Sequence, residues 1–260
     1  MPLDLVLVRH GESEGNEAVR RARAGDDSLL ERLRTRHSSF WRLTDRGIAQ
    51  AKRSGEWLRQ AFPDGFDRYY ASEYVRAMET AGWLALPGAE WTLHPDLRER
   101  SWGDLDRLTP AERHQRFAAS LDEKATSPFY WRPPNGESMA DVCARLIGIL
   151  HNLRHECREG RAVLVCHGEA IGAFRAKLEQ MSQMDYERWS TDPAEKIANG
   201  EVVHYTRRDP GNGQLAAHLE WRRSIVPDDE SRSKPWERIR RPRYDSEGLL
   251  AAAREVPRLV

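Results

Sequence analysis

The sequence predicts an α/β fold, a three-layer αβα sandwich with a mostly parallel central sheet, and three observations point to it. Residues 3–8 and 162–166 are short apolar runs rich in branched side chains, the pattern of strands buried on both faces. Each run ends in a His-Gly pair, His10-Gly11 and His167-Gly168, at the carboxyl edge where open parallel sheets bind ligands. Between the runs lie segments of helical periodicity, and strands alternating with helices belong to this class. A chain of 260 residues is long enough to bury one large core without staples.

The elements follow in order. Residues 17–42 are charged and Arg-rich, with Leu29, Leu30 and Leu33 as the only apolar stripe, and read as a helical excursion over the sheet edge or as a mobile loop. Thr44 caps a helix that aligns Ile48, Ala51, Gly55 and Leu58 on one face. Residues 67–71 form a strand and 74–86 a helix that stops at Pro87-Gly88. The longest helix spans 138–157, with Met139, Val142, Leu146, Ile149, Leu150 and Leu153 at helical spacing. Residues 201–206 and 215–221 read as strands joined by an Asp209-Pro210-Gly211-Asn212-Gly213 turn. From 226 the chain turns rich in Asp, Arg, Ser and Pro. It is expected to form a tail, 226–260, packing on the 1–225 domain and carrying Trp236, Tyr244 and a last helix at 246–254.

Composition narrows the partners. Lys and Arg number 41, as do Asp and Glu, so no general electrostatic pull toward nucleic acid or an acidic membrane is expected. No apolar run nears the roughly 20 residues that span a bilayer, and the start of the chain has neither the basic stretch nor the small-residue cleavage site of a signal peptide. Cys143, Cys157 and Cys166 form no CxxC pair and read as reduced, buried thiols of a cytoplasmic protein. His151 and His155 are four apart on a helix, but without a carboxylate in pattern they read as a solvated face rather than a metal site.

Chemistry concentrates at the strand ends. Arg9-His10-Gly11-Glu12-Ser13, with Asn16 beyond, sets an imidazole beside a guanidinium suited to phosphate oxygens. Ser72-Glu73-Tyr74-Val75-Arg76, with Thr80-Ala81, opens a helix directly after a strand, an anion-friendly position. Arg98-Glu99-Arg100 with Gly103 puts a carboxylate among cations in a loop, Gly136-Glu137-Ser138 precedes the long helix, and His167-Gly168 closes the series.

In this order the motifs resemble the histidine phosphatase superfamily, the group of phosphoglycerate mutases and many phosphomonoesterases, over about residues 3–206. The resemblance implies that His10 is a nucleophile that accepts the phosphoryl group. It implies that Arg9, Asn16 and Arg76 hold phosphate oxygens together with His167, and that Glu99 protonates the leaving oxygen and then deprotonates water. For that, burial must lift the Glu99 pKa against the flanking Arg98 and Arg100. Neither a metal nor a cofactor is implied. Ser13, Gly168, Arg20, Arg100 and Arg132 are candidates for further substrate contact, and the excursion, with Arg20, Arg21 and Arg23, is expected to border the pocket and select the substrate.

The expected activity is hydrolysis of a small phosphorylated metabolite. Mutases of the family carry a long insertion between the Glu loop and the second His, and here only 68 positions separate Glu99 from His167. Mutase-type transfer and a pocket-retaining binding module stand as alternatives. The tail is a candidate contact for a homodimer.

Overall fold

The computed structural model describes residues 1–241 and 243–259; Pro242 and Val260, within the 226–260 tail, lie outside the described residues. The first half of the chain runs β1 (Asp4–Arg9), α1 (Glu14–Arg23), α2 (Ser28–Leu33), α3 (Asp45–Ala61), β2 (Arg68–Ala71), α4 (Val75–Trp83), β3 (Trp91–Leu93) and α5 (Pro110–Thr126). It continues through α6 (Met139–Glu156), β4 (Arg161–Cys166), α7 (Gly168–Leu178), α8 (Gln183–Thr191), β5 (Val202–Thr206), β6 (Trp221–Ile225), β7 (Lys234–Arg238) and α9 (Ser246–Arg254). The helices α5, α7 and α8 are additions to the elements legible from periodicity.

The strands form one sheet in the order β3-β2-β4-β1-β5-β6-β7. Pairing is parallel from β3 to β1, and the later strands pair antiparallel. Side chains alternate across a strand, so Leu5 and Leu7 enter one core with α6 and α7 while Val6 and Val8 enter a second with α3 and α4. This makes the three layers. The predicted helix starts are capped as their sequences suggest. Thr44 accepts from Gly47 N at the start of α3, and Ser138 forms a capping box with Asp141 at the start of α6.

The predicted 215–221 strand is displaced. The turn forms, with Gly213 N donating to Asp209 O at 2.8 Å, but Leu215 makes only an isolated bridge to Arg208, and the strand itself is Trp221–Ile225. Leu215 is 52% exposed, so the first half of that segment gains little by lying on the sheet. The sheet also continues past position 225, because β7 pairs with β6. With Lys234, Pro235 and Arg238, β7 has the charged, proline-bearing composition of an edge strand.

The 17–42 excursion is ordered as α1, α2 and a short 3₁₀ turn at Ser38–Phe40. A small cluster of Ala18, Leu30, Leu33 and Trp41 holds it. Cys143, Cys157 and Cys166 are buried and unpaired. Among the described residues no helix is long and apolar enough to cross a membrane.

Candidate active site

Because β1 and β4 pair in parallel with Arg9 opposite Cys166, the residues that follow, His10 and His167, leave the same sheet edge together. Their ring centroids are 5.0 Å apart at an interplanar angle of 63°. Both are buried, at 2% and 0% exposure. His10 Nδ1 lies 2.7 Å from the Gly11 carbonyl oxygen. A carbonyl only accepts, so the ring hydrogen sits on Nδ1 and Nε2 keeps its lone pair. Arg76 Nε donates to that Nε2 at 3.2 Å. Burial, then the charges of Arg76 and Arg9, hold the His10 pKa well below the usual imidazole value, so the ring is neutral.

His167 is held by Ser72, whose Oγ accepts from Tyr74 N and lies 2.9 Å from His167 Nε2. The other ring nitrogen, Nδ1, is buried with no hydrogen-bond partner among the described residues. Burial, followed by Arg76 and His10, depresses this pKa as well.

Two guanidiniums complete the cluster. Arg76 sits in the first turn of α4 at 6% exposure, with Nη1 donating to Ser38 O at 2.7 Å. Arg9 donates from Nη1 to Ile197 O at 2.6 Å, and its Nε is buried without a partner. Both bond to carbonyls and neither forms a salt bridge among the described residues, so carboxylates such as Glu99 act on them only at longer range, an arrangement that favours an anion between them. Asn16 has its Oδ1 taken by Ser13 N and Asn199 Nδ2, both at 3.1 Å, which leaves Nδ2 as its free donor. Gly11 is required here, since a Cβ would lie 2.2 Å from Gly47 O.

Glu99 lines the same cavity, of about 360 Å³, as His10, Arg9 and Arg76. Its pKa is raised to about 7, first by burial and then by Glu169, against the pull of Arg76 and Arg9. The flanking guanidiniums turn away, and Arg100 opposes the shift only through its backbone N, which donates to Glu99 Oε1 at 3.0 Å. Arg98 pairs with Glu137 at 2.9 Å, while Arg100 spends its donors on Glu137 O, Trp131 O and Glu169. Among the described residues no group of three or more His, Cys, Asp or Glu could hold a metal ion.

The other candidates separate. Ser13 lines the cavity and caps α1. Arg100 lines it too, at 4% exposure, but as a wall whose donors are taken. Gly168 opens α7 in the neighbouring groove, where a Cβ would lie 3.4 Å from Arg9 Nε. Arg20 and Arg132 are not in the cavity. Arg20 pairs with Glu17 at 2.6 Å, three residues back on the outer face of α1, and Arg132 is drawn to Asp141 at 2.7 Å in the first turn of α6. The excursion borders the cavity through Val19, Leu30, His37, Ser38 and Trp41, while Arg23 lines an adjoining groove that shares Arg9 and Glu99, and Arg20 and Arg23 line another that shares Arg9 and Asn16. Trp102, Arg107 and Arg113 are wall residues that the sequence reading does not single out. Trp102 and Arg107 follow the Glu loop closely, which is the available clue; Arg113 lies on a helix with no motif.

The chain matches the histidine phosphatase superfamily, branch 1, over residues 5–199. It belongs to that superfamily. It is 31% identical over 222 residues to the 2,3-bisphosphoglycerate-dependent phosphoglycerate mutase of Methylocella silvestris, covering 77% of this chain and 90% of the mutase. The corresponding enzyme of Cytophaga hutchinsonii is 33% identical, with 71% of this chain and 81% of the relative covered. Among solved structures the fold is similar to the alpha-ribazole phosphatase of Shigella flexneri (TM-score 0.61, 20% identity, 83% of this chain and 96% of that one). It is also similar to a mycobacterial glucosyl-3-phosphoglycerate phosphatase (TM-score 0.60, 23% identity, 78% and 89% covered).

Proposed function

We propose that this histidine phosphatase superfamily member is a phosphomonoesterase acting on a small phosphorylated metabolite through a phosphohistidine intermediate. The observation that carries the reading is the neutral His10, whose Nε2 lone pair is held by a hydrogen bond from Arg76 Nε beside a pocket where the buried guanidiniums of Arg9 and Arg76 form no salt bridge among the described residues. The Nε2 lone pair attacks phosphorus, the bond from phosphorus to the ester oxygen breaks, and that oxygen takes the Glu99 proton. Water then attacks phosphorus and gives its proton to Glu99, the P–N bond breaks, and inorganic phosphate leaves. Arg9, Arg76, His167 and Asn16 Nδ2 are the donors for the three spread oxygens. The Glu99 pKa of about 7 suits a group that must give and then accept a proton near neutral pH. Buried, unpaired thiols fit a cytoplasmic location.

Mutase-type transfer is the second reading, favoured by the names of the curated relatives. The two are separated by incubating the protein with 3-phosphoglycerate, with and without 2,3-bisphosphoglycerate, and following both 2-phosphoglycerate and free phosphate. The hydrolytic reading expects phosphate release from a panel of phosphate esters and no bisphosphoglycerate-dependent interconversion. Interconversion outpacing hydrolysis of every ester on the panel would overturn it.

A further inference from the structure

The mechanism leans on one proton donor, and beside it stands a carboxylate with no step assigned to it. Glu99 lies in the loop that runs from the Pro95–Leu97 3₁₀ turn to Gly103, and a side chain grips that loop from either side. On the outer side is Glu137. It accepts from Ser101 N at 2.9 Å and pairs with Arg98 at 2.9 Å and Arg145 at 3.0 Å, so its charge is met twice. On the inner side is Glu169, in the first turn of α7 and two residues after His167. Its Oε1 accepts from Arg100 Nη1 at 3.3 Å and its Oε2 from Trp102 Nε1 at 3.0 Å. One side chain therefore ties the loop that bears the acid to the helix that starts beside the second imidazole.

Glu169 and Glu99 also line one groove, together with Gly168 and Lys124. Two carboxylates in one site oppose each other's ionisation, and their surroundings decide which keeps the proton. Glu169 has its side chain 32% exposed and accepts from a cation and an indole. Glu99 accepts only from Arg100 N, at 3.0 Å, among the described residues. Of the charged groups that face Glu99, Arg9 from β1 and Arg76 from α4 favour its ionised form, and Glu169 opposes them. Tyr74 beside α4, Cys166 at the end of β4 and Tyr186 on α8 also face it, and burial keeps all three neutral. Lys124, which faces Glu169, lies over the Trp102 and Trp131 rings at 4.7 and 5.3 Å and forms no salt bridge among the described residues.

We propose that Glu169 is a positioning residue for Glu99, tying the loop of the acid to the start of α7 and keeping the acid protonated until the leaving oxygen takes its hydrogen. The proposal rests on the phosphomonoesterase reading for the role of Glu99. The test compares the parent with Glu169→Gln, which keeps the shape and loses the charge, Glu169→Asp, which keeps the charge, and Glu169→Ala, which loses both. Values of kcat and KM are followed from about pH 5 to about pH 9 on p-nitrophenyl phosphate and on the alkyl phosphate that the parent hydrolyses fastest. The Glu99 carboxyl is titrated in parallel by ¹³C NMR, its signal assigned by its loss in Glu99→Gln, a readout that needs no turnover.

With the alkyl phosphate, the limb of kcat/KM that falls through about 7 in the parent is expected to move down by at least about half a pH unit in Glu169→Gln, and the Glu99 titration to move with it. That is a loss of about twofold at about pH 7 and about threefold at about pH 8, with the two proteins converging below about pH 5.5. Glu169→Asp is expected to hold the limb near the parent's. Glu169→Ala is expected to lose about tenfold in kcat on the alkyl phosphate and less on p-nitrophenyl phosphate, whose leaving oxygen needs no proton, with KM little changed. A limb and a Glu99 titration that stay in place in Glu169→Gln would overturn the proposal, as would losses in Glu169→Ala that are equal on both esters. A displaced Glu99 titration in protein that hydrolyses neither ester would uphold the coupling of the two carboxylates and count against the phosphomonoesterase reading instead.

Discussion

The two ends of the cavity are built by different means. The phosphate end draws His10 and His167 from positions directly after β1 and β4 and Arg76 from the first turn of the helix that follows β2, strands locked side by side in the core, and all three are buried. Other walls of the cavity draw Leu30 and Trp41 from the excursion, Arg107 from the turn before α5 and Arg113 from α5, elements that touch the sheet little, and Trp41 Nε1, Arg107 Nε and Arg113 Nε are buried without a partner among the described residues. Adjacent strand ends bring residues from opposite halves of the chain within a few ångströms with little freedom to move, which phosphoryl transfer requires. Insertions held by a small cluster of their own can change without disturbing that arrangement, and this is where selectivity can vary on a constant fold.

The sharpest way to break the contrast is at the phosphate end. His10→Ala is expected to lower kcat for phosphate release by about 10³-fold or more, since the covalent route is lost with the nucleophile. Glu99→Gln is expected to cost about 10²- to 10⁴-fold in kcat/KM on alkyl phosphates, whose leaving oxygen needs a proton, and less on p-nitrophenyl phosphate. In the parent, kcat/KM on alkyl phosphates should fall as pH rises through about 7, where Glu99 loses its proton, and Glu99→Gln should lack that limb. The depressed His10 pKa keeps the nucleophile neutral throughout that range.

Stability sharpens the same contrast. Leu164 in β4 and Leu33 in α2 are both buried, at 0% and 3% exposure, but they belong to the main core and the small excursion cluster respectively. Leu164→Ala is expected to cost about 2–5 kcal/mol in global unfolding by denaturant. Leu33→Ala should act chiefly by speeding amide exchange across residues 17–42, opening that region before the sheet.

A smaller effect follows from Glu99. A carboxyl whose folded pKa is lifted from 4.5 to about 7 holds its proton more tightly when folded than when unfolded. It therefore withdraws stability progressively as pH rises from about 4.5 to 7, and fully above that. Glu99→Gln should unfold at a higher temperature than the parent at pH 8, with the gain vanishing near pH 4. The smallest effect belongs to Arg20→Ala and Arg132→Ala, which should leave phosphate-ester turnover within about twofold, since both arginines lie in exposed ion pairs outside the cavity.

What could be read from the sequence divides along the same line. Buried parallel strands announce themselves as short branched runs, and a His-Gly pair directly after each one fixes the location of both imidazoles at the sheet edge. The phosphate end was therefore legible, as were the capped helices α3 and α6. The Glu99 environment was not, because whether Arg98 and Arg100 oppose a proton depends on where those side chains point, and Glu137 takes the first while Trp131, Glu137 and Glu169 take the second. The far wall was hidden for a related reason. Arg20 and Arg132 look the same as Arg107 and Arg113 in a string of letters, and only the fold shows that nearby carboxylates claim the first pair while Arg113 keeps an open donor. The shift of β6 to Trp221–Ile225 turns on which residues β5 can cover, a long-range fact that local alternation does not record.

The central claim is that His10 Nε2 carries the phosphoryl group in mid-reaction, and the direct measurement is to quench the protein with ³²P-labelled substrate and map the label. The account expects label that is stable to alkali and lost in acid, confined to the peptide containing His10 and missing from His10→Ala. Active protein that yields no such label under single-turnover conditions, or the same acid-labile label on His10→Ala, would contradict it.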